Sequence, residues 1–320
     1  MGKASAGLRR IFLLVLALAP LPAAAETGPG DHKYSLEVGA LRRNYIVHVP
    51  PQAARGKALP VVLNFHGGGG NAENQKWYSR MDSAADRDGY LAVYPNGTGG
   101  IGGRFLTWNA GTCCGPAAAD HVDDVGFVLA VLEDLARRLP YDRSRVYATG
   151  LSNGSMMAYR VAAELPERIA AVAGVAGAMT LPGFAPSLPV PVMHIHSVDD
   201  QRAFYNGGLG PAFPLTKTHV LHESVDSMIE KWRTHDGCPS AARVDTPLRG
   251  KGADASHTAT RYQYGPCKAG SEVVLWKLTG AGHVWPGGRH DYLPLLLGPG
   301  TAVIDANREM WKFFSRFRRG

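Results

Sequence analysis

The chain has 320 residues, of which 45% are hydrophobic and 19% charged, a composition that excludes wholesale disorder and leaves ample material for an apolar core. Its formal charge of +7 is mild. The basic cluster Lys312, Arg316, Arg318 and Arg319 reads as cations in a last helical turn, so no nucleic-acid partner is expected.

Along the chain, Lys3, Arg9 and Arg10 precede the apolar run 11–19 and an Ala-x-Ala site, Ala23 to Ala25. This order predicts an export signal over residues 1–25, cleaved near Ala25. The run is well short of the ~20 residues that cross a bilayer, so no membrane anchor is expected. Arg9-Arg10 also loosely matches a twin-arginine signal. The mature chain, 26–320, is expected to be one catalytic domain, secreted to an extracellular or periplasmic space.

Strands are predicted over 45–49, 59–65, 90–94, 145–149, 169–175, 190–195 and 272–278, from short apolar runs ended by Gly, Pro or Asn. Between them, Val125, Phe127, Val128, Val131, Leu132 and Leu135 form a helical stripe. Residues 156–165, the face Val225–Met228–Ile229–Trp232, and 302–317 are also predicted helical. Alternating strands and helices imply an α/β protein with a mostly parallel sheet covered on both faces. Asp123 and Asp124 read as caps of the helix that follows them.

Chemistry concentrates at four places. Gly150-Leu151-Ser152-Asn153-Gly154 lies between a predicted strand and a predicted helix. In that context G-x-S-x-G is a nucleophile elbow, with Ser152 free at the end of the sheet. The helix behind it offers unpaired N–H groups to an oxyanion, first that of Asn153. His66 and the glycines 67–70 follow another strand, where the second oxyanion donor belongs, either Gly68 or Gly69. A phosphate loop is excluded, because no Lys-Ser/Thr follows. An acid should come next in the chain, and Asp199 and Asp200 both stand after the strand 190–195. A histidine should come last, and His283 follows the final strand behind small residues. The order Ser, Asp, His is that of the α/β-hydrolase fold. Such a triad attacks carboxylic esters and needs no metal or organic cofactor; no zinc-ligand spacing is present. Trp285, two residues past His283, is expected to line the cleft, with His66 and Tyr205 as further substrate contacts. The Gly- and Pro-rich loop 205–214 is a candidate cleft wall. His219, His222, His235 and His290 read as surface residues.

Four cysteines allow three pairings. Cys238–Cys267 is favoured, closing the polar segment 240–264, with the adjacent Cys113 and Cys114 left over.

Taken together, His66 to Asn71, Trp108 to Gly115, Val122 to Phe127, Gly150 to Gly154 and Gly282 to Gly288 resemble the polyhydroxybutyrate depolymerase family of esterases, which includes feruloyl and acetylxylan esterases. The resemblance runs from about Tyr34 to the C-terminus. It implies that Trp108 lies near the site, as a further substrate contact, with core packing as the other reading of the same ring. It also selects Asp200 as the acid, when His196 and Tyr205 to Gly208 are set on the family's His-Gly-Thr-x-Asp pattern. The implied partner is an ester, either a polyester oligomer or an acylated plant polysaccharide fragment. With 37 residues after His283, oligomers or small esters are expected over crystalline polymer. The reading from another class is a hydrolase-fold binding module without catalysis.

Overall fold

A computed structural model describes residues 1–2, 27–213 and 219–320. The predicted export signal lies outside the described residues, apart from Met1 and Gly2. In chain order the strands are β1 (Gly30–Val38), β2 (Leu41–Val49), β3 (Leu59–Phe65), β4 (Leu91–Pro95), β5 (Tyr141–Leu151), β6 (Ala171–Val175) and β7 (Val192–Ser197). They continue with β8 (Gly208–Leu209), β9 (Leu221–His222), β10 (Arg243–Val244), β11 (Leu248–Arg249), β12 (Thr258–Tyr264) and β13 (Val273–Thr279). The helices are α1 (Ala72–Ser79), α2 (Met81–Asp88), α3 (Gly115–Ala119), α4 (Asp124–Arg138), α5 (Asn153–Glu164), α6 (Val225–His235), α7 (Pro294–Leu297) and α8 (Ala306–Phe314).

The main sheet runs β1-β2-β4-β3-β5-β6-β7-β13-β12-β10, with β11 also paired to β12. The six strands from β4 to β13 are parallel to their neighbours. The flanking pairs are antiparallel. The parallel strands β3, β4, β6 and β7 are buried along their whole length. Helices cover both faces, which is why these strands read as unbroken apolar runs rather than alternating ones. One core, with Phe127, Val131, Met156 and Trp232, packs α4, α5 and α6 on one face. The other, with Tyr78, Tyr94, Trp285 and Phe313, packs α1, α2 and α8 on the opposite face.

Chain order reverses between β3 and β5. Their register pairs Phe65 with Gly150, so the His66 loop and the Ser152 turn leave the sheet side by side. Crevices at such reversals, past the carboxyl ends of parallel strands, are where α/β proteins bind ligands.

Asp123 caps α4 as expected, accepting from the Gly126 amide at 2.8 Å. Asp124 does not cap. It is fully buried, pairs with Arg43 at 2.7 Å and accepts the Asn109 amide at 2.8 Å. Burial pushes the Asp124 carboxyl up and the Arg43 guanidinium down, and each partner's charge opposes that shift. The pair ties β2 to the loop that carries Trp108.

The C-terminal cations anchor the chain end. Arg316 pairs with Glu272, and Arg319 donates to the carbonyls of Ile169 and Pro189.

Both disulfides are intramolecular: Cys238–Cys267, and the vicinal pair Cys113–Cys114. Cys238–Cys267 closes a loop of 29 residues, which removes unfolded-state entropy worth about 3–4 kcal/mol in the chain-entropy account. Cys238→Ser is therefore expected to lower Tm by several degrees in non-reducing calorimetry. An unchanged Tm would count against a stabilising cross-link.

Candidate active site

The strand-to-helix turn places Ser152 at φ +56°, a region disfavoured for residues with a side chain. Its amide donates to the Val175 carbonyl at 2.8 Å, and α5 begins at the next residue. The turn is tight enough to require the flanking glycines. A Cβ on Gly150 would stand 2.4 Å from the Gly154 carbonyl oxygen, and one on Gly154 would strike the Phe65 carbonyl.

His283 and Ser152 line the same cleft. His283 Nδ1 lies 2.7 Å from Asp200 Oδ2. The Asp200 side chain is buried beneath it. Its Oδ1 accepts the amides of Arg202 and Ala203, at 2.7 and 2.9 Å. His196 Nε2 stands 3.2 Å from Oδ2. Burial pushes the Asp200 carboxyl up, but the charge on His283 and hydrogen bonds from His196 and His283 outweigh it. The net effect holds Asp200 far below the ordinary carboxylate range. Asp199, by contrast, is exposed and accepts the Gly280 amide at 2.7 Å, bracing the loop before His283.

A buried chain continues behind Asp200. His196 Nε2 donates to the Ala203 carbonyl at 2.8 Å, which fixes a proton on that nitrogen. Its Nδ1 lies 2.9 Å from His194 Nε2, and His194 Nδ1 lies 2.8 Å from the Tyr159 hydroxyl. Burial keeps His194 well below its usual range and therefore neutral. A neutral His194 donates at one of these two contacts and accepts at the other, and the Tyr159 hydroxyl also lies 3.2 Å from the Met193 carbonyl.

For the oxyanion, the two glycines differ. The Gly69 amide already donates to the Leu106 carbonyl at 2.8 Å. The Gly68 amide makes no such bond among the described residues, and Gly68 lines the cleft beside Ser152. The Asn153 amide is the first of α5, where no intrahelical acceptor exists. The Asn153 side chain grips the Trp108 backbone, accepting its N–H at 2.8 Å and donating to its carbonyl at 3.1 Å.

Four residues expected to touch substrate stand elsewhere. Trp108 is fully buried, and its indole N–H donates to the His66 carbonyl at 3.0 Å. His66 is fully buried too. Its Nδ1 faces the Gly67 carbonyl at 2.9 Å, and its Nε2 accepts the Gly97 amide at 3.0 Å. Burial brings its pKa down to about 4, so it stays neutral. Trp285 is buried under α8 and donates to Asn307 at 3.2 Å. Tyr205 is buried and donates to Asp226 at 2.6 Å. The physical reason is common to all four. Each polar atom has an internal partner, so a large ring can be buried whole. They brace the loops of the site from behind.

The cleft divides at Ser152 into two lobes. One, about 110 Å³, is lined by Met156, Arg202, Pro211, Phe213, Val220 and His222. The other, about 170 Å³, is lined by Tyr78, Phe105, Phe213, Tyr292, Leu293 and Leu296. Gly68, Ser152, Phe213, His283, Leu296 and Leu297 border both. The expected wall at 205–214 is present in Pro211 and Phe213. His222 lines the cleft rather than the outer surface. The α7 leucines escaped the sequence reading because an apolar run in a late loop looks like core. A larger open hollow, about 730 Å³, lies beside Asn109 and Arg160, and neither Ser152 nor His283 lines it.

Among the described residues, Asp31, His48 and Asp82 are the one group spaced to hold a cation. Lys76 already pairs with both carboxylates, at 2.8 and 2.7 Å. No described helix is long and apolar enough to cross a membrane.

Comparison with known proteins agrees with this architecture. A family model described as esterase PHB depolymerase matches residues 43–257. NocK of Nocardia uniformis subsp. tsuyamanensis, a protein named as an esterase, is 32% identical over 82% of this chain and 76% of its own. The bifunctional acetylxylan esterase/xylanase XynS20E of Neocallimastix patriciarum is 27% identical over 89% of this chain, which spans only 34% of that protein. Among solved structures, an acetyl xylan esterase from Aspergillus awamori superposes with a TM-score of 0.53 at 14% identity, covering 89% of this chain and 99% of that one. At that identity the likeness is one of fold. The chain belongs to the polyhydroxybutyrate depolymerase family of esterases, carboxylic ester hydrolases with the α/β-hydrolase fold.

Proposed function

We propose that the protein is an exported serine esterase that cleaves hydroxyalkanoate-type polyester oligomers through Ser152, His283 and Asp200, within one catalytic domain over residues 26–320. His283 takes the proton of Ser152 as the hydroxyl attacks the ester carbonyl. Asp200 holds the Nδ1–H tautomer and balances the imidazolium that forms. The amides of Gly68 and Asn153 receive the oxyanion, each worth about 3 kcal/mol in comparable sites. His283 then returns the proton to the leaving alcohol, and water repeats the cycle on the acyl-enzyme.

The observation that carries this reading is the pair of small lobes, about 110 and 170 Å³, meeting at Ser152. Sites for drug-sized ligands run to roughly 300–1,000 Å³. Two short, largely apolar compartments suit the four-carbon units on either side of a hydroxybutyrate ester bond. The second reading, an acylated plant polysaccharide, is favoured by the name of the fungal relative and by the room for an acetyl group in either lobe.

Initial rates on a soluble hydroxybutyrate oligomer, methyl ferulate and acetylated xylan, with Ser152→Ala as blank, separate the readings. Fastest turnover of the oligomer is expected. Fastest turnover of either plant ester would move the protein to cell-wall breakdown.

A further inference from the structure

The smaller lobe holds a charge that the ester chemistry does not use. Arg202 is half-buried in its wall, and its Nη2 donates to the Ala212 carbonyl at 3.1 Å. Among the described residues no carboxylate comes within ion-pair range of its guanidinium. Asp200, two residues away, is engaged with His283, His196 and two backbone amides, one of them that of Arg202 itself. His222, on the same wall, has its pKa brought down to about 4 by burial and by the charges of His283, His196 and Arg202, against that of Asp200. It is neutral at working pH, so the fixed charge of the lobe is the guanidinium. His222 Nδ1 is buried with no hydrogen-bond partner among the described residues. Away from Ser152, Asn153 and His283, the rest of the wall is apolar, with Met156, Pro211, Phe213, Val220 and Leu296.

A guanidinium keeps N–H groups in a planar fork that matches a carboxylate. Low-dielectric walls on either side strengthen that pairing. The lobe is short, so an anion reaching Arg202 must lie only a few bonds from the ester carbonyl at Ser152. We infer that Arg202 binds a free carboxylate on the substrate, and that the preferred substrates are short anionic esters of hydroxy acids or dicarboxylic acids. This rests on the esterase reading of the same cleft. A hydroxybutyrate dimer has this form, with one ester bond and one terminal carboxylate.

Two matched pairs test it: monomethyl against dimethyl succinate, and the hydroxybutyrate dimer against its methyl ester. Monomethyl succinate carries its carboxylate on the acyl side of the scissile bond and the dimer on the alcohol side, so a single lobe reads one of the two, and the wild type is expected to favour the anionic member of that pair. Arg202→Gln is expected to cut kcat/KM at least about tenfold more for the anion than for the neutral ester, chiefly through KM. Arg202→Lys should recover part of the preference, because it keeps the charge and loses the fork. Calorimetric binding of monomethyl succinate and of the hydroxybutyrate dimer to Ser152→Ala, with and without Arg202→Gln, reads the contact apart from turnover.

Equal losses on both members of both pairs, no wild-type preference in either pair, or binding of both anions unchanged by Arg202→Gln would overturn the proposal. A preference within the succinate pair with poor turnover of both dimers would keep Arg202 and remove the polyester reading. Absence of turnover with Arg202-dependent binding would keep the subsite and remove the catalytic reading.

Discussion

Ser152→Ala is expected to lower kcat on any accepted ester by about 10⁴–10⁶-fold, leaving a residue of catalysis from the oxyanion donors. The variant should fold normally. Alanine faces the same φ of +56° as serine, and the backbone bond to Val175 is untouched. Stopped assays over hours and a melting curve check both halves of the expectation. A loss under tenfold with intact folding would mean that another group attacks the ester.

Asp200→Asn carries the second large effect, a fall in kcat of about 10⁴-fold. The amide can present N–H where Oδ2 now accepts from His283, which turns the imidazole to the wrong tautomer. The loss should be the same from pH 5 to 9, because Asp200 is held far below the ordinary carboxylate range and stays ionised throughout. The stability sign follows from the same shift. A carboxylate with a depressed folded pKa stabilises the fold above its unfolded pKa of about 3.9. That contribution fades as pH falls from there through the folded value. Melting curves should therefore show the wild-type advantage over Asp200→Asn intact at neutral pH and shrinking below about pH 4. Rescue of activity at high pH would contradict the assignment of the acid.

Much of this architecture is legible in the chain. The unbroken apolar runs at 59–65, 169–175 and 190–195 announce strands buried on both faces, because helices on each side leave no polar face to alternate. Gly150 and Gly154 flag the turn, since only hydrogen fits against the Phe65 and Gly154 carbonyls. Strand β1 and helices α1 and α2 were missed. β1 alternates half-buried and exposed residues at the sheet edge, and the two helices are rich in polar residues with no sustained stripe.

The outline of the proposed site is legible in the order Ser152, Asp200, His283, but its walls are not. Aromatic residues near catalytic motifs look like substrate platforms, yet Trp108 and Trp285 have internal acceptors for their indole N–H groups and are buried. Asp124 looks like a helix cap until Arg43, distant in sequence, arrives as its partner. Arg202 and His222 stand twenty residues apart in sequence and meet in one lobe only in the fold. Such long-range juxtapositions leave no local pattern in sequence.

Covalent labelling by a fluorophosphonate, followed by mass spectrometry of the digested protein, tests most directly whether Ser152 is the nucleophile. One adduct per chain is expected, on the peptide holding Ser152, absent from Ser152→Ala and strongly slowed in Asp200→Asn. A folded protein that takes no adduct at Ser152, or takes it elsewhere, would contradict the claim that Ser152 is the nucleophile of an esterase.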